Sequence, residues 1–273
     1  MARRSKKADP KLILRWVLAL GAVLAIMATL AVVLKNQPPP SEPQEITAPT
    51  LAPNPYGVED FGYDEKGYLT CLAGESIPGI DVSSHQGTID WPKVKAAGME
   101  FAFIRLGYRG YDSGTLHADS LALTNLRQAK AAGLKIGAYF FSQALTRDEA
   151  VEEAQFALAM LEGVELDLPL VYDWEYVSEN ARTGQMEPDT LMTCVNAFCG
   201  AVDQGGYEPM VYFNRELSKT LLDLTELSDY PFWLAMYTDQ MNFPYKVDFW
   251  QYSDEGQVPG IEGNVDLNLY FPS

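Results

Sequence analysis

The stretch "LPLVYDWEYV", residues 168–177, decides how this chain is read. Leu168, Leu170, Val171 and Tyr172 make a short apolar run that predicts a buried β-strand, and the run ends on Asp173 and Glu175. Alternate residues of a strand point to the same face, so the two acids project together while Trp174 faces away. Two carboxyls held close in a partly dry site raise each other's pKa and cost stability. A chain that keeps such a pair at a strand end is keeping it for chemistry.

Working outward, seven further apolar runs have strand character. "GIDVS" (79–83), "FAFIRLGY" (101–108) and "KIGAYFFS" (135–142) precede the acid pair. "PMVYFN" (209–214), "FWLAMY" (232–237), "VDFWQYS" (247–253) and "NVDLNLY" (264–270) follow it. Between the earlier ones lie helix-forming segments at 91–98, 121–133, 147–163 and 188–206, the last three with apolar residues at i, i+3 and i+4. Pro188 suits a first helical turn, and Gly98, Gly133 and Gly163 suit helix C-termini. Strand–helix alternation implies a parallel sheet, and eight strands imply an α/β fold of the (β/α)8 barrel type. The last third has little room for helices, so the barrel is expected to be incomplete on that side. Functional residues of such barrels sit where the strands end at the C-terminal face. Asp81, Asp173, Glu175 and Asp266 all fall on or beside strands, and strands one and eight are neighbours in a closed barrel. The four acids therefore converge on one cleft.

Charge divides the chain. Residues 1–35 carry seven Lys and Arg against Asp9, whereas the remainder carries 13 basic and 36 acidic residues within an overall net charge of −17. A body that acidic repels nucleic acid. Residues 1–15 form a basic tail, and residues 16–34 form an uncharged apolar run that would make a helix of about 28 Å, close to the hydrocarbon thickness of a bilayer. The basic flank predicts a single-pass membrane anchor with its N-terminus in the cytoplasm and the body outside. A cleaved signal peptide is the competing reading, but its apolar region would be unusually long and no small-x-small site follows. Residues 35–55 are rich in proline and predict a stiff extended stalk of up to ~60 Å. Residues 56–78 form a short segment before the main domain and are compatible with a hairpin packed on it. The barrel proper is assigned to residues 79–273.

Several chemistries find no support. Cys71, Cys194 and Cys199 have no zinc or CxxC spacing and read as small apolar core residues. His85 and His117 are the only histidines, too few for a typical metal barrel, and no G-x-S-x-G nucleophile or Gly-rich phosphate loop is present. No metal or cofactor is expected. Carboxylate acid/base chemistry in an aromatic-lined groove remains, which is what glycoside hydrolysis requires. Tyr139, Trp233, Tyr237, Trp250 and Tyr252 are the candidate aromatic platforms.

The ordered set "GIDVSSHQGTIDWPKVKAAGMEFAFIRLGY", "GAYFFSQA", "YDWE", "FWLAMY", "FWQYS" and "GNVDLN" resembles the glycoside hydrolase family 25 lysozymes, the cellosyl-type N-acetylmuramidases. The resemblance covers residues 79–271. It implies a flattened, incomplete β/α barrel that cleaves the β-1,4 bond between N-acetylmuramic acid and N-acetylglucosamine in peptidoglycan. Carried over by motif, Glu175 matches the general acid/base. Asp173 matches its partner, as nucleophile or as the group orienting the substrate's N-acetyl. Asp81 and Asp266 match two further acids of the cleft. Tyr139, Trp250, Gln251, Tyr252 and Tyr237 are the expected sugar contacts. Two other readings stand beside the hydrolase. One is a catalytically silent glycan-binding scaffold, which the retained acid pair disfavours. The other is a partner in a cell-wall remodelling or secretion complex, docked through the tail or apolar helix. The acidic body and the absence of a repeat-type wall-binding module suit an enzyme acting on its own cell's wall.

Overall fold

A computed structural model describes residues 50–272. The basic tail, the apolar run at 16–34 and the stalk as far as residue 49 lie outside the described residues. Among the described residues no helix is long and apolar enough to cross a membrane.

The elements follow the sequence pattern closely. A small antiparallel hairpin, β1 (Phe61–Tyr63) and β2 (Leu69–Cys71), comes first. The main sheet then begins with β3 (Ile77–Val82), α1 (Trp91–Ala96), β4 (Phe101–Arg109), β5 (Leu116–Ala118) and α2 (Ala122–Ala131). It continues through β6 (Lys135–Ser142), α3 (Arg147–Met160), β7 (Leu170–Trp174), α4 (Pro188–Gln204), β8 (Pro209–Asn214) and the short α5 (Leu217–Thr220). It ends with β9 (Phe232–Ala235), β10 (Phe249–Gly256) and β11 (Val265–Tyr270). Strand order is β3-β11-β10-β9-β8-β7-β6-β4, and a β3–β4 pairing closes the eight strands into a barrel; β5 is a spur on β4.

Helix ends are fixed by local chemistry. The Asp90 and Thr146 side chains accept from the Lys93 and Glu149 amides at the starts of α1 and α3, satisfying donors that would otherwise be unpaired. The apolar face of α4 (Leu191, Val195, Phe198 and Val202) recurs at helical spacing and is buried. It packs against α3, whose own buried face is made of Ala150, Ala154 and Ala157, small enough for close approach. No helix follows β9 or β10, so the outer layer is incomplete on that side, as expected.

The sheet is not wholly parallel. β11 runs antiparallel to both β10 and β3, because residues 257–264 return the chain directly without a crossover helix. The spacer assignment also ran too far. The Ala52 carbonyl accepts from the Lys246 amide at 2.8 Å, and the Asn54 amide donates to the Pro244 carbonyl at 3.0 Å, so residues 51–55 lie against the barrel.

Two cores result. Inside the barrel, Phe101, Phe103, Val171, Met210, Tyr212, Trp233 and Phe249 fill the space between strands. A Cβ on Gly79 would meet the Phe101 ring at 2.4 Å, and one on Gly137 the Phe103 ring at 2.3 Å. Glycine at these two positions is what lets the rings enter. The outer core lies between the sheet and its helices and holds Cys194 and Cys199; Cys71 enters it from the end of β2 in the hairpin, and all three thiols are free and buried.

Candidate active site

β7 carries Val171 and Asp173 to the barrel interior, while Leu170, Tyr172 and Trp174 enter the outer core. Glu175 follows directly after the strand. The carboxyl of Asp173 is buried, and its Oδ1 has no hydrogen-bond partner. Burial first, then the charges of Glu175 and Asp81, push its pKa well above the usual carboxylate range. Arg105 on β4 pulls the other way, but its guanidinium is committed to Asp119, donating from Nε and Nη2 at 3.1 and 2.9 Å. Glu175 is pushed up to about 7, by burial and then by the charge of Asp81, with no hydrogen bond favouring its ionised form.

Asp81 and Asp266 face one another in register across β3 and β11. Asp81 Oδ1 accepts from Gln251 Nε2 and Asn268 Nδ2, each at 2.8 Å. These donors limit the rise that burial causes, and Asp81 is raised to about 6. Asp266 is raised to about 9, by burial and then by the Asp81 charge, and it shares a hydrogen bond with Asp81. A hydrogen bond between two carboxyls requires a proton on one of them, so burial keeps this pair partly protonated. Around them, Tyr212 and Tyr237 both donate to Gln251 Oε1, at 3.0 and 3.1 Å, and Trp233 Nε1 donates to Asn268 Oδ1 at 2.8 Å. These bonds fix the amides so that both present N–H groups to Asp81.

Asp81, Asp173, Glu175 and Asp266 thus come together at one mouth of the barrel, with Tyr139, Gln251 and half-exposed Tyr237. Trp250 and Tyr252 do not join them. Phe249 and Gln251 face inward, so the intervening residues must face outward. Trp250 is fully buried in the outer core, where its ring meets Phe61 edge-on at 5.1 Å and its Nε1 donates to the Met236 carbonyl at 2.8 Å. The Tyr252 hydroxyl accepts from the Leu69 amide at 3.3 Å. Both residues are the dock for the β1–β2 hairpin. Trp233 is inner core, stacked on Phe103 at 4.7 Å. His85 is exposed on a turn, and His117 is stacked on Tyr108.

Several site residues escaped the sequence reading. Asn268 shares a face with Asp266 two positions away, and that period-two relation is a signal the sequence did contain. Tyr212 had none beyond its alternation with Met210. Gln143, wholly buried after β6, donates from Nε2 to the Glu175 carbonyl at 3.2 Å and accepts from Thr183 Oγ1 at 2.5 Å. It ties the loop after β7 to β6, and only the folded chain brings these residues together.

A carboxyl kept protonated near neutral pH, beside others in a half-enclosed cleft, can protonate a leaving group while its neighbours stabilise developing positive charge. Residues 80–261 match the family described as glycosyl hydrolases family 25. The autolytic lysozyme of Clostridium acetobutylicum is 31% identical over 195 residues, covering 71% of this chain and 56% of that protein. Lysozyme M1 of Streptomyces globisporus is 30% identical over 205 residues, covering 71% and 67%. Among solved structures, the bacterial lysozyme from Streptomyces coelicolor superposes with a TM-score of 0.58 at 27% identity, covering 73% of this chain and 94% of that one. The modular autolysin LytC from Streptococcus pneumoniae, solved with a synthetic peptidoglycan ligand, shares the fold at a TM-score of 0.66 and 24% identity. This chain spans about half the length of LytC and of the Clostridium lysozyme. With the matched region covering most of the barrel and three of its four clustered acids, Asp81, Asp173 and Glu175, the chain belongs to glycosyl hydrolases family 25.

Proposed function

We propose that this protein is a peptidoglycan hydrolase, an N-acetylmuramidase that cleaves the β-1,4 bond between N-acetylmuramic acid and N-acetylglucosamine. The observation that carries the reading is the Glu175 carboxyl, held near 7 at the barrel mouth beside Asp173 and Asp81. Family membership and relatives named as lysozymes support the substrate class. Glu175 protonates the glycosidic oxygen as the C1–O bond breaks. Asp173 meets the positive sugar centre, either by attacking C1 or by holding the substrate's N-acetyl group so that it does. A water then delivers its hydroxyl to C1 and returns its proton to Glu175. Asp81 and Asp266, with one proton between them, set the field in which this happens.

The sequence supports a location as well. The apolar run at 16–34 with its basic flank fits a single-pass membrane anchor, cytoplasmic at the N-terminus, and the prolines after it fit a spacer that holds the barrel off the outer face. A hydrolase so tethered would work on the wall of its own cell.

The test is to incubate the full-length protein with purified peptidoglycan, reduce the products with borohydride and identify them by mass spectrometry. Muramitol-ended fragments are expected from the parent and none from Glu175→Gln. Fragments with N-acetylglucosaminitol ends, or equal release by the variant, would refute the assignment.

A further inference from the structure

The β1–β2 hairpin precedes the family-matched region, yet it is built into the barrel wall. Phe61 packs on Trp250, the Leu69 amide donates to Tyr252, and the Tyr68 hydroxyl donates to the Gln257 carbonyl at 3.4 Å. Docked this way, the hairpin stands beside the loops after β9 and β10 and walls a groove of about 500 Å³ between them. Exposed Tyr63 lines one side and exposed Tyr237 the other, with Asp239, Asp254 and Glu255 along it. Lys66, the basic residue of the lining, turns its ammonium to the Ala97 carbonyl at 3.0 Å.

The groove meets the candidate active site at Tyr237. Tyr237 belongs to both, since its hydroxyl donates to the Gln251 amide that holds Asp81. Asp254, in the groove, is close enough to act on Asp266. Exposed tyrosine faces suit the apolar face of a pyranose ring, and carboxylates accept from sugar hydroxyls. The same carboxylates repel the stem-peptide carboxylates of a wall strand, or the lactyl carboxylate where the peptide has been removed, and favour its neutral sugar.

The geometry points to this groove as an additional glycan subsite that holds an N-acetylglucosamine of the same strand beyond the residues at the scissile bond, with Tyr63 of the hairpin as its stacking platform. The inference rests on the hydrolase reading for the identity of the strand, and on the hairpin alone for the site.

Two measurements test it on the full-length, detergent-solubilised protein. The first is kcat/KM on peptide-free glycan strands of four and of eight sugars for the parent, Tyr63→Ala and Tyr63→Trp. Tyr63→Ala is expected to lower the value for the longer strand by about threefold to tenfold, leave the shorter one unchanged, and be rescued in Tyr63→Trp. The second is calorimetric titration of the eight-sugar strand into Glu175→Gln with and without Tyr63→Ala, where the added substitution is expected to weaken binding by the same factor. Equal effects on both strand lengths, or no effect on binding, would overturn the subsite. An effect confined to strands that carry stem peptides would replace the sugar with a peptide occupant and overturn it too. If the parent cleaves neither strand while binding still depends on Tyr63, the hydrolase reading fails and the subsite stands.

Discussion

Asp266 on β11 lies directly opposite Asp81 on β3 and is hydrogen-bonded to it, so two acids from opposite ends of the barrel sequence share one proton. The arrangement costs stability as pH rises. Asp266 titrates at about 9 in the folded protein and near 4 when unfolded, so between those values the folded state holds a proton that the unfolded chain has released. Raised Glu175 and Asp173 act in the same direction. Stability therefore declines from pH 5 towards pH 8, and Asp266→Asn makes the decline shallower. Urea midpoints of parent and variant at the two pH values measure this.

Turnover has its own pH limit. Glu175 must be protonated to act as the acid, so kcat/KM on wall glycan falls as pH rises past about 7. Glu175→Gln lowers turnover by about 10²–10⁴-fold with glycan binding retained. A pH–rate profile of the parent and single-turnover assays of the variant check both statements.

Asp173 carries a buried oxygen without a partner, a cost with no structural return. Asp173→Asn should raise the melting temperature at pH 8 by removing an acid whose ionisation burial and the neighbouring carboxyls oppose, while turnover falls by about 10²-fold or more. Thermal unfolding and rate must move in opposite directions; a variant that lost both would make Asp173 a structural residue.

Arg109, at the end of β4, reaches across to α3. Its Nε donates to Glu153 Oε1 at 2.7 Å, and its other nitrogens reach Glu152 Oε2 and the carbonyls of Gly114 and Glu149. Glu153 in turn accepts from Ser142 Oγ at 2.6 Å and from the Gln143 amide at 3.3 Å. Arg109→Met leaves Glu153 buried and unpaired, which costs about 3–5 kcal/mol. Denaturant unfolding measures it, and a double variant with Glu153→Gln recovers part of the loss.

The barrel interior tolerates no added volume beside its phenylalanines. Gly137→Ala sets a methyl against Phe103 and Leu168 and costs about 1–3 kcal/mol through displaced rings. Calorimetric unfolding checks the magnitude.

What the sequence by itself determined is local. Every strand of the barrel and its four longer helices can be read from apolar periodicity and glycine or proline punctuation, because those patterns reflect which face each segment must bury. Asp173 and Glu175 were legible for the same reason: an acid pair at the end of an apolar strand has no packing purpose. Tertiary structure decided what depends on partners distant in the chain. Asp266 stands near the start of β11, and in a parallel strand it would have sat at the opposite end of the barrel; the reversal of β11 brings it beside Asp81. Trp250 and Tyr252 carry the aromatic character of a sugar platform, but the pleat that turns Gln251 inward turns both of them away from the acids to seat the hairpin, where Tyr252 lines the groove beside it. Composition names the residues able to bind a glycan, and only strand direction and pleat decide which of them face it.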